Sequence, residues 1–194
     1  YLIEPDGTMA GRYDKTHLVP FGEYVPFNLP FIGKMVDNVG DFTHGKEGNT
    51  LALKDYSLGV QICYEIIFPN LSRTMVKNDA GLLVNITNDA WYGSTSAPYQ
   101  HFSMTIFRAA ENKRALIRSA NTGISGFTDP VGRVIKSTGI FEDAVITRDV
   151  PVVQGIQTFY TRFGDIFAMV CLAGTGLMIL GTKIFPWLRA RAGS

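Results

Sequence analysis

Cys63 closes the apolar run Gly59-Val60-Gln61-Ile62-Cys63 and is followed at once by the polar pair Tyr64-Glu65. A buried strand that delivers a thiol to its own carboxyl end presents a nucleophile where a loop can build a site around it. A second run, Tyr13-Asp14-Lys15-Thr16-His17-Leu18-Val19-Pro20-Phe21-Gly22-Glu23, sets Lys15 and Glu23 eight positions apart in a loop holding Pro and Gly. A cation beside a thiol favours the thiolate, which is the attacking form. Together these residue types point to acyl transfer. Taken singly they are ordinary, since a buried thiol is usually inert core and a lone lysine or glutamate a solvated charge. The combination carries the reading.

Other polar and aromatic residues add less. His17 and His101 have no third ligand at metal spacing, so neither a metal nor another cofactor is expected. His101 reads as a satisfied core or cap residue. Trp91, followed by Tyr92-Gly93, either lines a pocket or is a buried structural aromatic. The loop 21–35 holds Phe21, Tyr24, Phe27, Phe31 and Met35 between prolines. It is read two ways, as an acyl-chain entrance dipping into lipid or as aromatics packed on the domain core.

The elements that must hold these residues follow from pattern. Apolar runs bounded by turn residues predict strands over 1–4, 9–13, 50–53, 57–62, 82–86, 116–119, 126–128, 133–136 and 143–150. Pro69 suits a first helical position and opens a predicted helix to residue 78. Phe102, Ile106, Ala109 and Ala110 recur at helical spacing and predict a long helix over 97–114. On it, Arg108, Glu111 and Arg114 are expected to form surface ion pairs. Strands interleaved with helices indicate an α/β layered domain.

With 194 residues the chain can bury a real core, and a net charge of +1 offers no basic face for nucleic acid. Two cysteines make no disulfide framework and leave the redox compartment open. Residues 166–182 contain no charge. A bilayer needs about 17–25 apolar residues. With Lys183 snorkelling and Trp187 at the interface, a transmembrane helix is predicted over 164–188, the alternative being a buried core helix. Cys171 within it is then a small apolar residue. Lys183, Arg189 and Arg191, with no acid among them, put that end in the cytoplasm and the preceding domain outside. The expected division is a catalytic domain over 1–157, a linker over 158–163, the span, and a tail over 189–194. Because the chain opens in mid-strand at Tyr1-Leu2-Ile3, it is expected to be the carboxyl-terminal portion of a longer protein.

The order Tyr13-x-Lys15-x-His17-Leu18-x-Pro20-x-Gly22-Glu23, then Gly59-x-x-x-Cys63-Tyr64-Glu65, resembles the nitrilase (carbon–nitrogen hydrolase) superfamily. Asn85 to Gly93, Gln100-His101, Arg108 to Asn112 and Ala120 to Gly123 extend the likeness. It implies a nitrilase-like α-β-β-α sandwich, here partial and followed by one transmembrane helix, with a Glu–Lys–Cys triad. It further implies Cys63 as nucleophile, Lys15 as the triad lysine and an accessory role for Glu23. Tyr64 and Glu65 would belong to the substrate pocket or oxyanion site, although either could anchor the turn. The backbone N–H of Tyr64 would then assist Lys15 at the oxyanion. The superfamily's general-base glutamate lies well upstream of the lysine. Glu4, eleven positions before Lys15 in a hairpin strand, does not suit that place, so the chain alone is expected to be inactive.

More narrowly, His17 to Pro26 followed by a terminal apolar helix resembles the branch that N-acylates apolipoproteins in the bacterial inner membrane. That likeness implies phospholipid as acyl donor, a thioester on Cys63, and the α-amine of a lipidated apolipoprotein as acceptor, in lipoprotein biosynthesis on the periplasmic side. Two other readings stay open: a membrane-tethered nitrilase-type amidase hydrolysing a small amide, and a catalytically silent binding module.

Overall fold

The strand ending at Cys63 lies inside a sheet, paired on both edges. In this computed structural model, residues 1–24 and 42–192 are described, with side chains to residue 182. The expectation for Phe27, Phe31 and most of the loop 21–35 lies outside the described residues. A short hairpin, β1 (Leu2–Ile3) and β2 (Met9–Gly11), stands apart from the main sheet. Then follow β3 (Leu51–Leu53), β4 (Tyr56–Ile62), α1 (Pro69–Lys77), β5 (Ala80–Asn88), α2 (Ala97–Asn112), β6 (Leu116–Asn121), β7 (Gly126–Thr128) and β8 (Val134–Ser137). These strands form one six-stranded sheet in chain order.

The centre of the sheet is parallel, β4 against β5 and β5 against β6, with helical crossovers α1 and α2; the outer pairs are antiparallel. The parallel register sets Gly59 beside Leu83, Gln61 beside Asn85, and Asn85 beside Arg118. With period two, these residues share one face, and all are buried. Gly59 permits close approach there: a Cβ on it would lie 3.1 Å from Met75 Cβ of α1 and 2.8 Å from Leu83. Leu71, Met75 and Val76 of α1, and Phe102, Thr105 and Ala109 of α2, supply buried side chains on these two helices. The alternate residues are less covered, and Ile86 is 44% exposed.

Two expectations change. No strand forms over 143–150, a largely exposed stretch carrying Asp143, Arg148 and Asp149, in which Val145 is almost fully exposed. An alternating segment without a ladder partner leaves its backbone to water. The long helix stops at Asn112 because Lys113 takes a left-handed conformation. Arg114 therefore lies beyond the helix and is buried, donating to the carbonyls of Ala80, Asn112, Lys113 and Ile156. Arg108 does pair with Glu111 at 2.9 Å, but as a buried side chain that also binds the Ile66 and Ile67 carbonyls.

The chain divides into two units, Tyr1–Arg162 and Phe163–Ser194. A short helix, α3 (Phe159–Phe163), precedes α4 (Ile166–Ala192), which begins two residues inside the predicted 164–188 segment and continues past its end. Among the described residues no helix is long and apolar enough to cross a membrane. Cys63 and Cys171 are both free thiols.

Candidate active site

Beyond Ile62 the backbone turns into a 3-10 segment, Cys63–Ile67, and Cys63 itself sits at φ 53°. A left-handed residue with a Cβ costs roughly 1–2 kcal/mol, so neighbouring contacts must hold it. Glu65 is the main one. Its carboxylate is fully buried and accepts from Ile62 N–H at 2.7 Å, which closes the turn on itself. The same carboxylate accepts from Tyr13 O–H at 3.0 Å, from Thr16 N–H and Oγ1–H at 2.6 and 2.9 Å, and from His17 N–H at 2.9 Å. Those donors flank Lys15. Glu65 thus fastens the lysine loop to the cysteine turn, the anchoring alternative of the two readings, and neither Glu65 nor Lys15 is among the residues lining the cavity at Cys63. Its charge and burial push the Tyr13 phenol well above its ordinary range, burial being the larger cause.

Lys15 Nζ meets both oxygens of Glu23, at 2.6 and 2.8 Å, and the Lys15 side chain is 10% exposed. Glu23 also accepts from Val19 N–H at 2.9 Å, so the loop folds around its own ion pair. The Lys15 carbonyl accepts from Gly45 N–H at 2.8 Å. A Cβ on Gly45 would fall 2.0 Å from the Asp14 carbonyl oxygen, a backbone atom that cannot swing aside. Gly45→Ala should therefore displace the Lys15 loop and cost about 1–3 kcal/mol, the usual penalty of overpacking. Thermal unfolding checks it; an unchanged transition would mean that the loop shifts freely.

Cys63, Glu23, Tyr64, Trp91 and Tyr92 line a cavity of about 540 Å³ with mostly apolar walls. A second space of about 410 Å³ shares Cys63, Glu23 and Trp91 and reaches Ile62, Ile86 and Thr87. Trp91 is 87% exposed on the 3-10 turn Ala90–Tyr92, so it is a wall of the site and not a buried structural aromatic. Glu4 stays in the exposed β1–β2 turn. Among the described residues no group of three His, Cys, Asp or Glu side chains could hold a metal ion.

Beneath Cys63 lies a polar cluster that the spacing did not announce. His101 Nδ1 is 2.9 Å from Asp89 Oδ1, and Arg118 Nη2 donates to Asp89 Oδ2 at 2.6 Å. Arg118 Nη1 also donates to Asn85 Oδ1. His101 Nε2 and Asn85 Nδ2 both reach the Cys63 carbonyl, at 3.3 and 3.4 Å. Burial would raise the Asp89 carboxyl, but His101 and Arg118 outweigh it and hold Asp89 below the ordinary carboxylate range. Its stabilising contribution is present above the unfolded carboxyl's titration and is lost as pH falls through the lower folded value. Burial, then the Cys63 sulfur, push the Tyr92 phenol upward. The expectation for His101 holds, as a satisfied core residue. Asp89 and Arg118 were missed, although an arginine within the apolar run 115–120 was a usable signal.

Residues 1–160 match the family described as carbon-nitrogen hydrolase. The chain is 48% identical over 180 residues to a Geobacter metallireducens protein named apolipoprotein N-acyltransferase, covering 92% of this chain and 34% of that protein. A Rickettsia prowazekii protein of the same name is 42% identical over 175 residues, with 88% and 34% covered. The chain thus spans about a third of the length of these curated relatives. Among solved structures, Saccharomyces cerevisiae Nit3, of the nitrilase superfamily, superposes with a TM-score of 0.53 at 19% identity, covering 71% of this chain and 47% of that one. That likeness shows a nitrilase-like α/β fold.

Proposed function

The chain belongs to the carbon-nitrogen hydrolase family, and from that membership we propose that it carries the nucleophile half of a membrane-associated N-acyltransferase. Its substrates would be a phospholipid acyl donor and a lipidated apolipoprotein amine, the reaction named for its curated relatives. The single observation that carries this reading is the seat of Cys63. The thiol ends a central parallel strand in a left-handed turn and lines a mostly apolar cavity together with Trp91 and Tyr92. Such walls suit an acyl chain better than a small polar amide.

In this mechanism the Cys63 thiolate attacks the phospholipid ester carbonyl. The C–S bond forms as the carbonyl electrons move to oxygen. The oxyanion collapses, expels the lysophospholipid alkoxide and leaves a thioester; the alkoxide takes up the thiol's proton through a general base. The free amine then attacks the thioester and gives its surplus proton to the general base; the tetrahedral intermediate collapses to the amide and expels the thiolate. Lys15, steered by Glu23, supplies positive charge to thiolate and oxyanion, and Tyr64 N–H donates to the oxyanion. The general base is assigned to an upstream glutamate of the full-length protein, so this chain alone would not turn over.

Helix α4 is proposed as the lipid-facing anchor. Phe167, Met169, Val170, Leu172, Leu177 and Met178 are all exposed on it, and residues 166–182 carry no charge. A helix apolar on every side lacks a stable home in water. Lys183, Arg189 and Arg191 would mark the cytoplasmic end, with the site on the periplasmic face of a bacterial inner membrane.

The test uses the full-length protein in phospholipid vesicles beside its Cys63→Ala variant. Mass spectrometry should find a fatty-acyl adduct on the Cys63 peptide, sensitive to neutral hydroxylamine and discharged by a diacylated amino-terminal peptide. No adduct on folded protein in lipid would reject the reading, and discharge by water alone would favour an amidase.

A further inference from the structure

Tyr64 N–H can serve the oxyanion only if its peptide is held in one orientation. The Cys63–Tyr64 bond is trans, so its N–H and C=O point in opposite directions. The Cys63 carbonyl is gripped from the helix-covered side of the sheet by His101 Nε2 of α2 and Asn85 Nδ2 of β5. That aims Tyr64 N–H the other way, and Cys63 and Tyr64 both line the 540 Å³ cavity. Tyr64 is also early in the Cys63–Ile67 turn, where backbone N–H groups have no partner within the turn.

The two gripping side chains are themselves fixed. With Nε2–H donating to the Cys63 carbonyl, His101 Nδ1 accepts from Arg118 Nη2 at 3.0 Å and lies 2.9 Å from Asp89 Oδ1, Asn85 Oδ1 accepts from Arg118 Nη1, and Arg118 Nη2 also joins Asp89 Oδ2 at 2.6 Å. Arg118 Nε donates to the Ile124 carbonyl, and Thr87 Oγ1 to Asp89. The Arg118 and Asp89 side chains have no exposed surface. A buried ion pair is a poor route to stability compared with apolar packing, whereas it fixes direction well. The close fit extends to Gly123, where a Cβ would lie 2.4 Å from Asp89 Oδ2.

We propose that His101 and Asn85, locked by the Asp89–Arg118 ion pair, are positioning residues that hold the Cys63 carbonyl so that Tyr64 N–H faces the reacting oxygen. This rests on the acyl-transfer reading of Cys63 but not on phospholipid as donor. It distinguishes a preorganised donor from mere core polarity, because the two predict different responses to different electrophiles.

The test compares the full-length wild type with His101→Ala and His101→Gln; the glutamine amide can replace the Nε2 donor. Three rates at Cys63 are read: acylation by phospholipid, acylation by a p-nitrophenyl acyl ester, and alkylation by iodoacetamide. Both acylations pass through a tetrahedral oxyanion, whereas alkylation does not. His101→Ala should slow ester acylation about 100-fold, the scale of one lost oxyanion donor. Alkylation should change less than about twofold, and His101→Gln should regain most of the loss. Equal losses in acylation and alkylation, equal behaviour of Ala and Gln, or no loss would each overturn the proposal. If His101→Ala does not fold, His101→Met, which keeps bulk without the donor, takes its place. If wild type reacts with the ester but never with phospholipid, the lipid reading fails and the positioning role is still decided by the ester.

Discussion

Replacing Lys15 by methionine should slow acylation of Cys63 about 1,000-fold while leaving thermal unfolding nearly unchanged. Two losses combine. An electrostatic donor to the oxyanion is worth about 100- to 1,000-fold by itself. In addition, Glu23 loses the cation that meets it at 2.6 Å and 2.8 Å, yet still lines the cavity with Cys63. An uncompensated carboxylate there disfavours both the thiolate and the developing oxyanion. Glu23 is 25% exposed, so water can solvate it and the folding penalty stays small. Lys15→Met with Glu23→Gln should therefore recover about tenfold over Lys15→Met alone, following the removal of that repulsion. On the proposed role of Lys15 beside the thiolate, iodoacetamide alkylation should slow as well, in contrast to the His101 variants. Thioester appearance followed by mass spectrometry reads the first effect. An unchanged rate would reduce Lys15 to a clamp for Glu23.

The contrast between Lys15 and His101 also marks what the sequence made legible. Cys63 and Lys15 were legible in combination, as a strand that ends on a thiol and a loop that sets a lysine and a glutamate eight positions apart; the ion pair that closes that loop is seen only in the structure. The strand and helix positions around them were legible because period and turn residues act over a few positions. Asp89, His101 and Arg118 meet from the end of β5, from α2 and from β6, and only the parallel register brings Asn85 beside Arg118. Their meeting is a tertiary fact, and the local signal was limited to an arginine inside an apolar run. Arg114 misled for a similar reason, because the left-handed Lys113 ends the helix one residue before it and turns a surface charge into a buried binder of carbonyls. The strand expected over 143–150 had the pattern of a strand but no neighbour to pair with.

Glu65 carries the largest expected effect on stability. Its two oxygens serve five donors from three stretches of chain: Tyr13, Thr16 with His17, and Ile62. A carboxylate's two oxygens offer that much acceptor capacity in a small volume, where an amide has one oxygen. Glu65→Ala leaves those donors facing a void, and Glu65→Gln turns an NH₂ group toward N–H and O–H donors. Each should cost about 3–5 kcal/mol, since a buried donor left without its acceptor costs about 1–3 kcal/mol and several are stranded at once. Chemical denaturation of the full-length protein measures it. Activity should fall with stability, because releasing Thr16 and His17 frees the loop that carries Lys15, and osmolyte that restores folding should restore part of the rate. A Glu65→Gln protein that unfolds like wild type yet forms no thioester would give a different answer. The carboxylate would then act on the reaction itself, and the five contacts would not be its purpose.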